Sequence, residues 1–235
     1  MKQVFCLVDE RISDACLSEL ECRGFKVIKL PKMQSLPSPI SSHTDILSFK
    51  LKDKIFFSKE YFDEFFDVLS PLHAENIVKT DESQGVNYPL DAIFNGLVMR
   101  NILFCKADTF SKEILSYANI LGIKTVSVKQ GYPACTVLKI SENAAITADK
   151  GMAKALRNEN ISVLEIENGG VLLPPYEYGF IGGAGALHGD AVYFFGDIEK
   201  HPDAEKILAF IKKHGKLAIS LSQEVLHDLG GMIFV

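Results

Sequence analysis

Apolar residues along this chain recur with two alternating spacings, and the alternation itself repeats. Helical spacing marks Ser13–Arg23, Lys59–Leu69, Thr109–Leu121, Lys150–Arg157 and Pro202–His214. Capping residues open several of these windows, at Ser13, Ser58, Asp108, Asp149 and His201–Pro202, and Gly24, Gly122 and Gly215 close others. Short β-branched runs follow each helix, starting at Phe25, Ala74, Ile123, Ile161 and Lys216, and others precede each, starting at Gln3, Lys54, Asn101, Asn143 and Ala191. Before the last four of those preceding strands lies a further apolar segment, starting at Asp45, Asp91, Cys135 and, more loosely, Gly179. The predicted unit is strand, strand, helix, strand, and it occurs four times in full.

The N-terminal copy lacks its first strand, while the chain ends on HDLGGMIFV, an apolar segment with no helix after it. Pairing that last segment with the N-terminal unit completes the fifth copy and leaves no open edge. The expected fold is α/β: a five-bladed propeller of β-β-α-β units closed by the C-terminal strand. It forms one domain over residues 1–235, with blades at about 1–42 plus 226–235, 43–87, 88–131, 132–178 and 179–225. Met33–Ser42 and Val171–Gly179 then read as inter-blade loops rather than linkers. A doubly wound parallel sheet is the rival arrangement, but two strands before every helix fit it poorly.

Composition narrows the function. Of 235 residues, 47% are hydrophobic and 23% charged, which excludes a disordered or fibrous chain. The net charge of −5 argues against a nucleic-acid partner and leaves room for an acidic pocket that takes a cation. No apolar run reaches the roughly 18 residues of a membrane span, and Val4–Val8 is too short for a signal peptide. Five cysteines without a CxxC pair (Cys6, Cys16, Cys22, Cys105 and Cys135) read as reduced thiols of a cytoplasmic protein. His188 and His227 with Asp228 and Cys135 have no zinc-like spacing, and the Gly179–Gly189 stretch precedes a strand rather than a helix, so neither a metal nor a cofactor is expected. Its glycines read instead as places of close backbone approach.

A ring of five β-β-α-β units resembles the pentein superfamily of guanidino-group-modifying enzymes, and the resemblance covers nearly the whole chain. His43-Thr44-Asp45 looks like that family's His-x-acid pair, and Cys135-Thr136-Val137-Leu138 looks like its nucleophile strand. Asp91 and Asp228 open the apolar segments of two further blades, so Asp45, Asp91, Cys135 and Asp228 are expected to ring one end of the axis. One departure is plain: no cysteine follows Cys135, and the last blade carries Gly182-Gly183-Ala184-Gly185 where the family's enzymes place the nucleophile.

The resemblance implies a hydrolase of the deiminase or dimethylaminohydrolase type. Cys135 would be the nucleophile and His43 the acid and base, held by Asp45 from the same face of a strand. Asp45 and Asp91, and with them Asp228, would bind a small guanidino or amine ligand, because carboxylates pair with the guanidinium fork. Each residue also has a plain reading: Cys135 as a small buried hydrophobe, Asp45 and Asp91 as turn residues, His43 as a solvated loop residue. The alternative function is a non-catalytic pentein-like protein that binds a cationic ligand or a protein partner. Assembly into a homo-oligomer stays open.

Overall fold

The computed structural model describes residues 3–235, which fold into five three-stranded sheets. In chain order, their middle strands are Phe5–Asp9, Lys54–Phe57, Ile102–Cys105, Ala144–Thr147 and Ala191–Phe194. On one side, the middle strand pairs antiparallel with Ile233–Phe234, Ser48–Leu51, Leu97–Met99, Val137–Ser141 or Gly185–His188. On the other, it pairs in parallel with Lys26–Leu30, Ile77–Lys79, Lys124–Ser127, Ser162–Glu165 or Leu217–Ser220. A parallel pair needs a crossover, and the helices Asp14–Cys22, Lys112–Ile120, Lys150–Asn158 and Ala204–Lys213 supply four of them. The remaining crossover is two pieces, Lys59–Glu64 and Phe66–Leu69, because Phe65 leaves helical geometry at φ −117° and ψ 26°.

Why the middle strands read as mostly apolar runs follows from their packing: both faces are covered. Alternate side chains serve alternate neighbours. Cys6 and Val8 pack with Ala191 and Tyr193 of the fifth sheet, whereas Leu7 packs with Ile55 and Phe57 of the second. Phe56 then meets Leu103 and Cys105, Phe104 meets Ala145, and Ile146 meets Val192 and Phe194. Each sheet therefore buries one face on the next, and the fifth buries one on the first. The outer parallel strands are mostly half-buried or exposed and carry charges such as Lys124 and Glu165, which blunt their free edges.

The C-terminal segment lies where the repeat places it, with Phe234 opposite Cys6 and Ile233 opposite Leu7. It is not one strand, however. Gly230 and Gly231 both take positive φ (69° and 71°), a conformation that costs a side chain but not glycine, and they split it. Leu226–His227, before the split, pairs in parallel with Val171–Leu172. Helix starts also shift: Ser111 rather than Asp108 caps the third crossover, and the last begins at Ala204 after Asp203, not at Pro202. Among the described residues, no helix is long and apolar enough to cross a membrane.

Candidate active site

The turns that lead into the antiparallel strands bring the candidate residues together. His43 does not stand on a strand beside Asp45, as the i, i+2 spacing suggests. Thr44–Leu47 is a single helical turn with His43 at its N-cap, and the strand begins only at Ser48. Cys135 likewise lies in a helical turn, Pro133–Thr136, two residues before its strand. Asp91 sits in the 3-10 turn Leu90–Ala92, well ahead of the strand at Leu97. The residue at Cys135's spacing in that sheet is Asn95, so the four candidates do not share one register.

The turns interlock through the backbone. The Thr44 hydroxyl donates to the carbonyls of Gly230 and Gly231, and the Asp45 N–H donates to Gly230 O at 3.3 Å. A Cβ on Gly230 would stand 2.5 Å from His43 Cβ and 2.7 Å from Asp45 Oδ1. One on Gly182 would stand 2.5 Å from the Cys135 carbonyl, and one on Gly183 only 1.8 Å from Asp228 Oδ1. Glycine at these places makes room for the polar groups of its neighbours.

Within this frame, one ligating atom each of His43, Asp45 and Cys135 lies within 4.8 Å of the others, and all three residues are buried. The Cys135 thiol donates to Asp45 Oδ2 at 2.7 Å. Asn95 donates from Nδ2 to Cys135 Sγ at 3.4 Å, while its Oδ1 accepts the Ala134 N–H at 2.8 Å. Asp228 accepts the N–H groups of Phe180 (2.8 Å) and Gly230 (3.1 Å). Its Oδ1 stands 3.8 Å from His43 Nδ1, a charge contact too long for a hydrogen bond. Neither ring nitrogen of His43 has a hydrogen-bond partner, and Asp45 Oδ1 and Asp91 Oδ1 have none either. Buried polar atoms without partners are rare, and four of them belong to these turns.

Burial sets the electrostatics. It raises the Cys135 thiol well above its ordinary range, and the charges of Asp45 and Asp228 raise it further. Asp45 is pushed up to about 8, chiefly by burial, with the thiol hydrogen bond opposing. Burial raises Asp228 against the pull of His43, and raises Asp91 against the hydroxyl of Tyr132, which donates to its Oδ2 at 2.8 Å. It lowers His43 despite Asp228. A cation placed among these groups would reverse most of these shifts. His43, Asp45 and Cys135 also form a donor set that suits a zinc-type ion.

Cys135, His43, Asp91 and Asp228 open onto one cavity of about 550 Å³, which Tyr88, Tyr132, Tyr178 and Phe180 also line. Asp45 faces a different cavity, of about 500 Å³, that shares no lining residue with the first. Both loops read as inter-blade segments contribute to the larger cavity, Met33–Ser42 through Pro37 and Ile40 and Val171–Gly179 through Leu173, Tyr176, Glu177 and Tyr178. Sequence reasoning missed Asn95 and Tyr132. Asn95-Gly96 carries a turn signal, but nothing in the one-dimensional pattern points its amide at a thiol.

The sequence matches the family of unknown function DUF6873 over residues 7–233. The chain belongs to this family. No curated protein matches it. Among solved structures it is similar to a mutant of DDAH from Pseudomonas aeruginosa complexed with citrulline, at 10% identity and a TM-score of 0.61, over 94% of this chain and 92% of that one. An agmatine deiminase from C. jejuni is similar at 11% identity and a TM-score of 0.54, over 94% and 87%. The inosamine-phosphate amidinotransferase of Streptomyces griseus follows at 13% and 0.55, over 91% and 74%. At such identities the likeness concerns the fold, and the fold is that of the pentein, or guanidino-group-modifying, superfamily.

Proposed function

We propose that this chain is a guanidino-modifying hydrolase, a single pentein-like domain whose five sheets are the blades of a closed propeller. The circular order of sheet packing supports the propeller. The observation that carries the activity is the cluster of Cys135, His43 and Asp45, with Cys135 and His43 at the wall of a cavity that also holds Asp91 and Asp228.

In the resting site the thiol keeps its proton and donates it in a hydrogen bond to Asp45. A guanidinium entering beside Asp91 and Asp228 brings a positive charge, which lowers the Cys135 pKa and lets the thiol proton pass to His43. The thiolate attacks the guanidinium carbon and forms a C–S bond. His43, protonated beside Asp228, gives its proton to the departing nitrogen as the C–N bond breaks. Neutral His43 then takes a proton from water, whose oxygen attacks the same carbon. The C–S bond breaks and the ureido product leaves. Ammonia or an amine is the second product, and no electrons change hands. In this scheme Asp228 positions His43, a role the sequence pattern assigns to Asp45. Such a thiol works only when reduced, which fits a reducing compartment such as the cytoplasm; all five cysteines are free.

A second reading has its own support. With its pKa raised and its side chain buried, Cys135 in the empty site is a poor nucleophile, as a non-catalytic protein that binds a cation would allow. Incubation with arginine, agmatine and methylarginines, followed by assay for ureido product, separates the two. The hydrolase reading expects product from at least one of them and none from Cys135→Ala. Calorimetric binding without product in every case would replace the hydrolase with the binding protein.

A further inference from the structure

The cavity that holds Cys135 has a one-sided charge. Among the described residues its lining includes three acids, Asp91, Asp228 and Glu177, and no lysine or arginine. Arg11, which pulls on Asp228 by charge, is turned elsewhere: it holds both carboxylate oxygens of Asp9 and reaches the carbonyls of Ser38 and Pro39. The acids are also staggered in depth. Asp91 and Asp228 are 2% exposed, whereas Glu177 lies on the exposed loop between Val171 and Gly179. Between them the walls are apolar and aromatic, with Ile40, Ile46 and Leu173, and with the Tyr88 and Tyr132 rings 5.5 Å apart.

We infer that the ligand of this cavity is a guanidino compound that bears no carboxylate, with a second cation, an amine, at the end that meets Glu177. The inference rests on the guanidino-modifying reading and names its substrate class. An amino-acid head group adds a carboxylate to a cavity whose lining already has three acids and offers no lysine or arginine to receive it, so that carboxylate gains no cationic partner there. An alkyl arm suits the apolar walls, and a cation suits the faces of the two tyrosines as well as Glu177.

Three probes that differ only at the far end test this: agmatine with an amine, butylguanidine with a methyl group, and arginine with an α-amino acid. Calorimetric binding to the intact Cys135→Ala chain, together with turnover by the unsubstituted chain, is read for each. Agmatine is expected to bind best and arginine at least about tenfold worse than butylguanidine. Glu177→Lys, a change at an exposed loop position, should weaken agmatine about tenfold, leave butylguanidine unchanged and improve arginine. Arginine binding as well as agmatine overturns the substrate class but leaves the hydrolase standing if ureido product forms. If Glu177→Lys shifts no ratio, the amine assignment falls. If none of the three probes binds or turns over, the functional reading fails and the inference with it.

Discussion

Cys105 ends its strand among Phe49, Phe94 and Leu103, and Cys135 sits in a turn beside Asp45, Asn95 and His43. Both thiols are buried and both are raised, Cys105 to about 12. Their causes differ. Burial alone lifts Cys105, which nothing entering the site could change. Cys135 is lifted partly by the charges of Asp45 and Asp228, and a cation in the cavity would offset those. The same contrast runs through the fold. Buried strand positions repeat from sheet to sheet and mostly need apolar bulk, whereas the turns before the strands hold the polar groups, Asp45, Asn95, Cys135 and Asp228 among them.

The largest expected effect breaks the comparison at its two thiols. Cys135→Ala should lower ureido-product formation by about 10⁴-fold or more. Cys105→Ala should cost stability of the order of 1 kcal/mol and leave turnover within a few-fold. Equal losses of activity in the two variants would mean that Cys135 is only packing.

Two glycines with similar backbones sharpen the contrast next. Gly230 and Gly189 both have positive φ, 69° and 58°, but a Cβ on Gly189 meets nothing within 4 Å. Gly189→Ala should cost only the conformational penalty, about 1–2 kcal/mol. Gly230→Ala adds the collision with His43 and Asp45, and urea denaturation should show clearly more than that. Similar midpoints for the two would contradict the close fit of these turns.

A smaller effect comes from Asn95→Ala, which strips the amide from the thiol and leaves the Ala134 N–H unpaired, costing roughly 1–3 kcal/mol. It should also slow alkylation of Cys135 without touching that of exposed Cys22.

The smallest is a pH effect. With its carboxyl at about 8 in the fold and near 3.8 outside it, Asp45 holds a proton in the folded chain that the unfolded chain has lost over that window. Its contribution is therefore fullest below about pH 4 and is lost as pH rises to about 8. Between pH 5 and pH 8 the melting temperature of Asp45→Asn should fall less than that of the unsubstituted chain, by roughly 3 °C or more. Parallel falls would contradict the raised carboxyl.

Much of the fold is legible because its units repeat. The middle strands are mostly apolar, the helices carry an apolar stripe, and pairing the last segment with the first leaves no antiparallel partner missing. What is illegible is local. Nothing in HTDILSFKL separates the helical turn Thr44–Leu47 from the strand Ser48–Leu51, because the apolar run continues across both. Phe65 fits the apolar stripe of its helix and still breaks it. In the site, the acids and the thiol stand out because such residues interrupt apolar segments, but Asn95 and Tyr132 act through contacts 40 and 41 residues away in sequence. The charge balance of the cavity is a property of three loops together, and no single stretch of sequence contains it.

The central claim, that Cys135 is a nucleophile switched on by a bound guanidinium-like cation, is tested most directly by alkylation. Chloroacetamidine carries the cation and iodoacetamide does not, and exposed Cys22 provides the internal reference. Peptide mapping should show that chloroacetamidine labels Cys135 at least about 100-fold faster relative to Cys22 than iodoacetamide does, with Cys6 and Cys105 unlabelled. A Cys135-to-Cys22 ratio that is the same for both reagents would contradict the account.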